Sequence, residues 1–325
     1  MKIRLSRRMI LRSWGKIEQE LPEISFGAAA ISGEGAGYSF GAISEGESVE
    51  LLHQAYELGF RCFDTAPIYG FGTSEKRIGL AFSEIDDLFI VSKGGVDWHR
   101  EAEQKGRVNM SNAPEILKRQ LSESLERLRR DCIDLHFVHW PDQRVDIRQA
   151  LEPLVEAREK GLIRYIGLAN TNQKDLELAA ELTSIDAIQN PYNLFHREVE
   201  SLFPYLEKHQ IAMMAYGSLD KGILTGRVHE KRVFDDCDAR KKAAWWKKSN
   251  WKSKCQRVKE FCEKHSIEVE SLGSHLALSF VLKNKVVSTA LCGARNSEQL
   301  KNLVNFQSSA PSEFLEDAEE FFRES

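Results

Sequence analysis

Eight short apolar runs alternate with longer segments of helical period along this chain, and that alternation limits the fold more than any other feature of the sequence. The runs fall at residues 24–26, 61–63, 88–91, 133–138, 165–168, 187–189, 211–215 and 286–290. The helical segments are expected near 48–58, 74–82, 114–130, 148–160, 174–182, 198–209, 270–282 and 297–306. In the third of these, Leu117, Leu121, Leu125 and Leu128 recur at steps of four and three between charged residues, which draws one apolar stripe on a helix. Ser111 or Asn112 is placed to cap it, and Pro114 suits its first turn. An alternation sustained this long favours an α/β fold closed as a (β/α)8 TIM barrel, because closure leaves no edge strand to protect. An open doubly wound sheet is the competing arrangement.

With 325 residues the chain is expected to form one barrel domain over 1–325, carrying a polar N-terminal segment and a long insertion near 224–257. The formal net charge of -4 argues against a general nucleic-acid binder, which needs concentrated positive charge. Two local runs depart from that average: nine Lys or Arg without an acid between Arg240 and Lys259, and six acids with one Arg between Glu313 and Glu324. The six cysteines lack CxxC spacing, no apolar run is long enough to span a membrane, and the N-terminal segment is too charged for a signal peptide. A cytoplasmic protein without stable membrane association is expected.

Residues 27–41 form a loop with five glycines that do not make a GxGxxG fingerprint, and no Walker A sequence occurs. A conventional Rossmann or phosphate-loop enzyme is therefore disfavoured, and the loop reads as a rim segment. The insertion shows no clear core pattern until its end, and is either a lid or a solvated excursion.

In a barrel, chemistry gathers at the carboxyl ends of the strands. Asp64 and Tyr69 follow the second run, Lys93 the third and His139 the fourth. A Tyr hydroxyl is a poor acid near neutrality, and a nearby ammonium lowers its pKa by favouring phenolate. A carboxylate beside that ammonium keeps it in place, and a histidine can donate to a substrate oxygen. Each residue alone also has a structural account: a cap, a strand-end lysine, a core histidine.

These residues carry a resemblance to the aldo-keto reductase family. Phe63-Asp64-Thr65-Ala66-Pro67-Ile68-Tyr69-Gly70, Ser92-Lys93 and His139-Trp140-Pro141-Asp142 resemble its signatures, and the likeness runs from about Ile24 to Phe306. The resemblance implies that Tyr69 is the general acid in reduction, that Lys93 tunes it, that Asp64 holds Lys93, and that His139 positions the carbonyl. His136 does not match the catalytic histidine and is read as structural. For the cofactor, NADPH/NADP+ with NADH/NAD+ as the alternative, the resemblance places Asn170 and Gln189 on the carboxamide, with Tyr216 stacked on the nicotinamide. Ser218 and Leu219 fall in the loop crossing the pyrophosphate. Gly293, Arg295, Gln299 and Asn302 lie near the adenosine phosphate. The chain departs from the family at Ala169, where Ser is usual, at Gly217-Ser218 in place of Ser-Pro, and at Leu303, where Asn is usual.

The implied reaction is NADPH-dependent reduction of an aldehyde or ketone to an alcohol by direct hydride transfer, without a metal. A sugar or alcohol dehydrogenase uses the same residues in reverse. A cofactor-binding regulatory or scaffold subunit is kept open by the basic tryptophan-containing insertion. The expected partner is a small carbonyl or sugar substrate, with Trp140, Tyr38, Phe40 and Trp98 as candidate pocket walls, and the expected state is a monomer.

Overall fold

A computed structural model describes residues 9–33, 38–98, 108–267, 269–305 and 312–323. Eight parallel strands close a barrel in chain order: β1 (Ile24–Gly27), β2 (Cys62–Asp64), β3 (Phe89–Gly94), β4 (Ile133–Val138), β5 (Ile163–Ala169), β6 (Ala187–Pro191), β7 (Ala212–Tyr216) and β8 (Val287–Cys292). Strand β8 pairs with β1 through Ala290 opposite Ile24 and Cys292 opposite Phe26, so no barrel edge is left open and the doubly wound alternative is excluded. Helices cover the outside while the barrel is filled from within, so β4 and β8 are buried along their whole length. That double burial is why the strands read as apolar runs rather than alternating ones.

Two layers of packing hold the site. Inside, Phe89, Val91, Leu135, Phe137 and Met214 form one buried cluster with Trp14 and Ile17. The latter two come from an antiparallel hairpin, Leu11–Trp14 with Ile17–Pro22, inside the segment read as merely polar. Trp14 has no exposed surface and meets Phe89, the first residue of β3, edge-on at 5.5 Å. The hairpin thus stoppers the amino-terminal end of the barrel. Gly167 leaves room for Phe137, since a Cβ there would lie 2.3 Å from the ring.

The surrounding helices include α1 (Glu45–Glu57), α2 (Thr73–Ala81), α3 (Pro114–Leu128), α4 (Ile147–Glu159) and α5 (Gln173–Ala180). Helix α1 begins earlier than its apolar stripe because Ser44 and Glu47 form a reciprocal capping box. The expected caps of α3 are corrected. Its N-cap is Ala113, without a side-chain bond, and Asn112 Oδ1 accepts instead from the Asp142 backbone N–H 2.7 Å away, tying α3 to the loop after β4. The helix expected over 198–209 is broken into a 3-10 segment, Glu198–Leu202, and α6 (Phe203–His209). Pro204 lacks the N–H that would continue the first helix and sits in the opening turn of the second. Three further helices matter below or close the outer layer: α7 (Trp251–His265), α8 (Val269–Lys283) and α9 (Ser297–Val304). The last expected helix reaches Phe306, which lies outside the described residues.

Most residues of the insertion over 224–257 stay at the surface, and a small buried aromatic cluster anchors it. Trp246 is 2% exposed, stacks on Trp251 at 5.6 Å and receives the edge of Phe234 at 5.6 Å. Its backbone pairs with the glycine-rich first loop: Ala239 N donates to Ser39 O over 2.9 Å, and the Ser39 hydroxyl to Cys237 O over 2.6 Å. These aromatics are spaced irregularly and meet only in three dimensions, so no helical or strand period announced them.

Candidate active site

Asp64 ends β2, Lys93 lies near the end of β3, and His139 follows β4. Tyr69 stands in the turn between β2 and α2. That turn is built from three consecutive left-handed residues, Gly70, Phe71 and Gly72, with φ of 63°, 50° and 87°. A Cβ on Gly70 would fall 2.0 Å from the Ser32 carbonyl oxygen, so only glycine lets this turn bring Tyr69 against the barrel mouth. The four candidates do converge. The Lys93 ammonium, with no exposed surface, donates to Asp64 Oδ1 and to the Thr65 carbonyl, each at 2.7 Å. It lies 5.1 Å from the centre of the Tyr69 ring. The His139 ring meets Tyr69 edge-on at 6.0 Å.

The electrostatics differ from the sequence expectation at one point. Burial raises the Tyr69 phenol well above its ordinary pKa, and the Asp64 carboxylate and the neighbouring tyrosines push the same way. Asp64, which holds Lys93, is thus also the largest charge acting on the phenol, and it pushes the pKa up. Lys93 itself is lowered by burial, with Asp64 opposing. The phenol is therefore neutral and keeps its proton, the form needed to donate. His139 is held well below the usual histidine range by burial, then by Lys93 and His136. It is a neutral ring with one N–H to offer. His136, fully buried, is pushed down to about 3 by burial and Lys93, and neither of its ring nitrogens has a hydrogen-bond partner.

The cofactor candidates lie at the ends of β5 to β8, and several are engaged with one another. Gln189 Nε2 donates to Asp64 Oδ1 at 2.8 Å, joining the carboxamide position to the Lys93 pair. Asn170, left-handed at φ 55°, donates to the His139 carbonyl at 2.8 Å and accepts from the Tyr216 hydroxyl at 2.6 Å. These bonds take one amide hydrogen and one lone pair of Oδ1, which leaves one of each for a carboxamide. The Ser218 hydroxyl is turned inward onto the Ala215 carbonyl at 3.0 Å, and Leu219 beside it is half-buried. The Arg295 guanidinium, expected near a phosphate, is bonded to the carbonyls of Phe40 and Ala42 in the first loop, while its buried Nε has no partner. Gln299 accepts from the Arg295 backbone at 2.9 Å. On α9 Asn302 is exposed, whereas Leu303 is buried in the core, which explains why an apolar residue stands there. Of the candidate pocket walls, Tyr38 lies over Tyr69 at 5.9 Å and under Trp245 at 5.5 Å, with Phe40 edge-on to it at 5.2 Å. Trp140 is exposed, and Trp98 is buried on Phe71 at 5.3 Å.

One supporting group escaped the sequence reading. Glu75, with no exposed surface, accepts from Ser92 at 2.6 Å and from Arg127 at 2.7 Å, fixing the residue next to Lys93. Ser92 is legible beside Lys93; its partners, from α2 and α3, give no sequence signal.

The mouth fits a nicotinamide cofactor. Amide and aromatic side chains come from three adjacent strands, Asn170 just past β5, Gln189 midway along β6 and Tyr216 at the end of β7. Gly293, where a Cβ would lie 2.8 Å from that of Ala30, leaves backbone alone exposed at the end of β8. A buried guanidinium nitrogen without a partner waits at the start of α9. Among the described residues no group of three His, Cys, Asp or Glu side chains is arranged to hold a metal.

A closed parallel barrel with a Tyr, Lys, Asp and His gathered at its carboxyl face defines a class of oxidoreductase that binds its nucleotide without a Rossmann domain. Residues 23–314 match the Aldo/keto reductase family, and the chain belongs to it. It is 33% identical over 288 residues to aldo-keto reductase YhdN of Bacillus subtilis, covering 87% of this chain and 84% of that protein. Against the NADH-specific methylglyoxal reductase of Escherichia coli it is 26% identical, with coverage of 89% and 91%. The solved glycerol dehydrogenase of Gluconobacter oxydans superposes with a TM-score of 0.80 at 28% identity, over 97% of this chain and 95% of that one. The chain is accordingly an enzyme that reduces carbonyl compounds to alcohols with a nicotinamide nucleotide.

Proposed function

We propose that this enzyme uses NADPH to reduce a small aldehyde or ketone, with Tyr69 as the proton donor. The observation that carries this reading is the buried Lys93–Asp64 pair, at 2.7 Å, placed under the Tyr69 ring. A reduced nicotinamide supplies the hydride when bound. The chain's own residues supply position, proton and polarity. His139 donates to the carbonyl oxygen from a neutral ring, which polarises the carbonyl and orients it toward Tyr69. Tyr69 delivers its proton to the oxygen as negative charge develops there. Lys93, kept in place by Asp64 and the Thr65 carbonyl, stabilises the phenolate left behind. Tyr38 lies against Tyr69, with Trp245 behind it, and shields the transfer from water.

Asn170, Gln189 and Tyr216 hold the nicotinamide end, Ser218 and Leu219 the pyrophosphate, and Gly293, Arg295, Gln299 and Asn302 the adenosine end. Preference for NADPH rests on Arg295, whose fork suits a phosphate. The relatives named above differ in substrate, methylglyoxal for one and glycerol for another, so the barrel alone does not select it. Among the described residues no helix is long and apolar enough to cross a membrane, and we propose that the enzyme works as a monomer. The test is kcat/KM for a panel of small aldehydes, ketones, sugar carbonyls and pyridoxal, each with NADPH and with NADH. Cofactor binding without turnover across the panel would favour a regulatory subunit instead.

A further inference from the structure

The loop after β7 has an unusual backbone. Gly217, Asp220, Lys221 and Gly222 are all left-handed, with φ of 66°, 40°, 55° and 97°. Glycine takes that conformation freely, but Asp220 and Lys221 carry side chains and hold it at a cost that the surroundings must offset. The surroundings are cations of the basic insertion. Asp220 is 2% exposed, and its Oδ2 accepts from the Lys254 ammonium, on α7, at 2.9 Å. Arg240 Nη1 donates to the Lys221 carbonyl at 2.8 Å, and Arg240 is itself clamped by Asp238 at 2.6 and 2.9 Å. Two insertion cations thus grip two consecutive strained residues, one by its carboxylate and the other by its carbonyl.

We propose that Lys254 is a positioning residue for the cofactor: through its buried pair with Asp220 it holds the loop from Gly217 to Gly222 in the conformation that receives the pyrophosphate. This rests on the cofactor path proposed above and assigns the basic insertion a task inside the enzyme. The argument is one of geometry and charge. Turn bonds shape the loop's backbone, from Asn193 Nδ2 and Asp220 N to the Gly217 carbonyl, from Gly222 N to the Leu219 carbonyl and from Ile223 N to the Asp220 carbonyl, and the Asp220–Lys254 pair ties that turn to α7. Without Lys254 the buried Asp220 carboxylate keeps the looser Lys221 ammonium, 3.6 Å from its other oxygen, and is pushed toward taking up a proton or turning to solvent, either of which releases Asp220 from its place. The second hydrogen-bond partner of Lys254 is His196 Nε2, at 2.8 Å, which accepts only while the ring is neutral. Burial and the cations Lys254 and Lys221 keep His196 below its ordinary range, against the opposing charges of Asp220 and Glu198. The tether therefore holds at neutral pH and loosens in acid.

The test compares wild type with Lys254→Met, Lys254→Arg and the double variant Lys254→Met/Asp220→Asn, measuring NADPH affinity by titration, kcat at saturating cofactor, thermal midpoint, and amide exchange over residues 217–224. For Lys254→Met the expected result is NADPH affinity weakened about tenfold or more with kcat changed much less. Exchange over the loop should be faster, and Lys254→Arg should recover most of the affinity. The double variant removes the stranded charge, so it should regain thermal stability without regaining affinity. Loop exchange or NADPH affinity like that of wild type in the stable double variant overturns the proposal. Wild type that binds neither NADPH nor NADH overturns the cofactor path itself, a failure visible before any variant is compared.

Discussion

Lys93 Nζ and Asp64 Oδ1 meet at 2.7 Å in a pair whose lysine side chain has no exposed surface. Gln189 donates to the same carboxylate oxygen at 2.8 Å, so one atom joins the proton donor's support to the proposed carboxamide site. Replacing Asp64 by Asn leaves a buried ammonium without its counter-charge. The expected outcome is a loss of about 3 kcal/mol of stability in denaturant titration, since breaking a buried pair on one side is costly. Turnover should fall about a hundredfold as Lys93 loses its place. A variant as stable and as active as wild type would contradict the role given to the pair.

His136 offers a pH test independent of catalysis. Its folded pKa is lowered to about 3 by burial, whereas an unfolded histidine titrates near 6.5. Between those values the unfolded chain binds the additional proton, so stability is full above about 6.5 and declines as pH falls toward the folded value. In His136→Leu that contribution to acid sensitivity is gone. The variant should lose about 1 to 2 kcal/mol less than wild type on going from pH 6.5 to 4.5, measured by urea unfolding. Parallel stability curves for the two proteins would show that His136 is not buried neutral.

Arg295 joins the first loop to the start of α9 through the Phe40 and Ala42 carbonyls. If its fork also meets the cofactor phosphate, Arg295→Leu should raise KM for NADPH about tenfold and leave KM for NADH much less affected. Equal effects on both nucleotides would place its role in holding the loop alone.

Trp14 lies at the opposite end of the barrel from Tyr69. Trp14→Ala should cost about 3 to 5 kcal/mol of stability through the cavity left against Phe89. Below its unfolding temperature the variant should keep kcat/KM for the best carbonyl substrate. A large loss of kcat/KM in folded protein would mean that the hairpin shapes the chemistry as well as closing the barrel.

The strands were legible because burial on both faces makes each a compact apolar run, and their expected limits fall within two residues of those observed for β4, β7 and β8. Asp64, Lys93 and His139 were legible because the carboxyl ends of successive strands must converge, and Tyr69 because a short Gly-containing turn keeps it near Asp64. What the sequence concealed is side-chain partnership. Nothing in the order of residues says that Asn170 bonds to Tyr216 and His139, or that Arg295 turns to Phe40. The electrostatic balance was hidden for the same reason: Asp64, close enough to hold Lys93, also pushes the Tyr69 phenol up. The Phe234, Trp246 and Trp251 cluster shows the limit most simply, since its spacing follows no period and only packing unites it.

The most direct test of the account is the single substitution Tyr69→Phe, which removes one hydroxyl and leaves the ring against Lys93 and His139. NADPH affinity and kcat/KM for the best substrate of the carbonyl panel would be measured on both proteins under the same conditions. The account predicts that affinity is retained while kcat/KM falls by about a hundredfold to ten-thousandfold, the range expected when a positioned acid is lost. Turnover by Tyr69→Phe within a few-fold of wild type would contradict it.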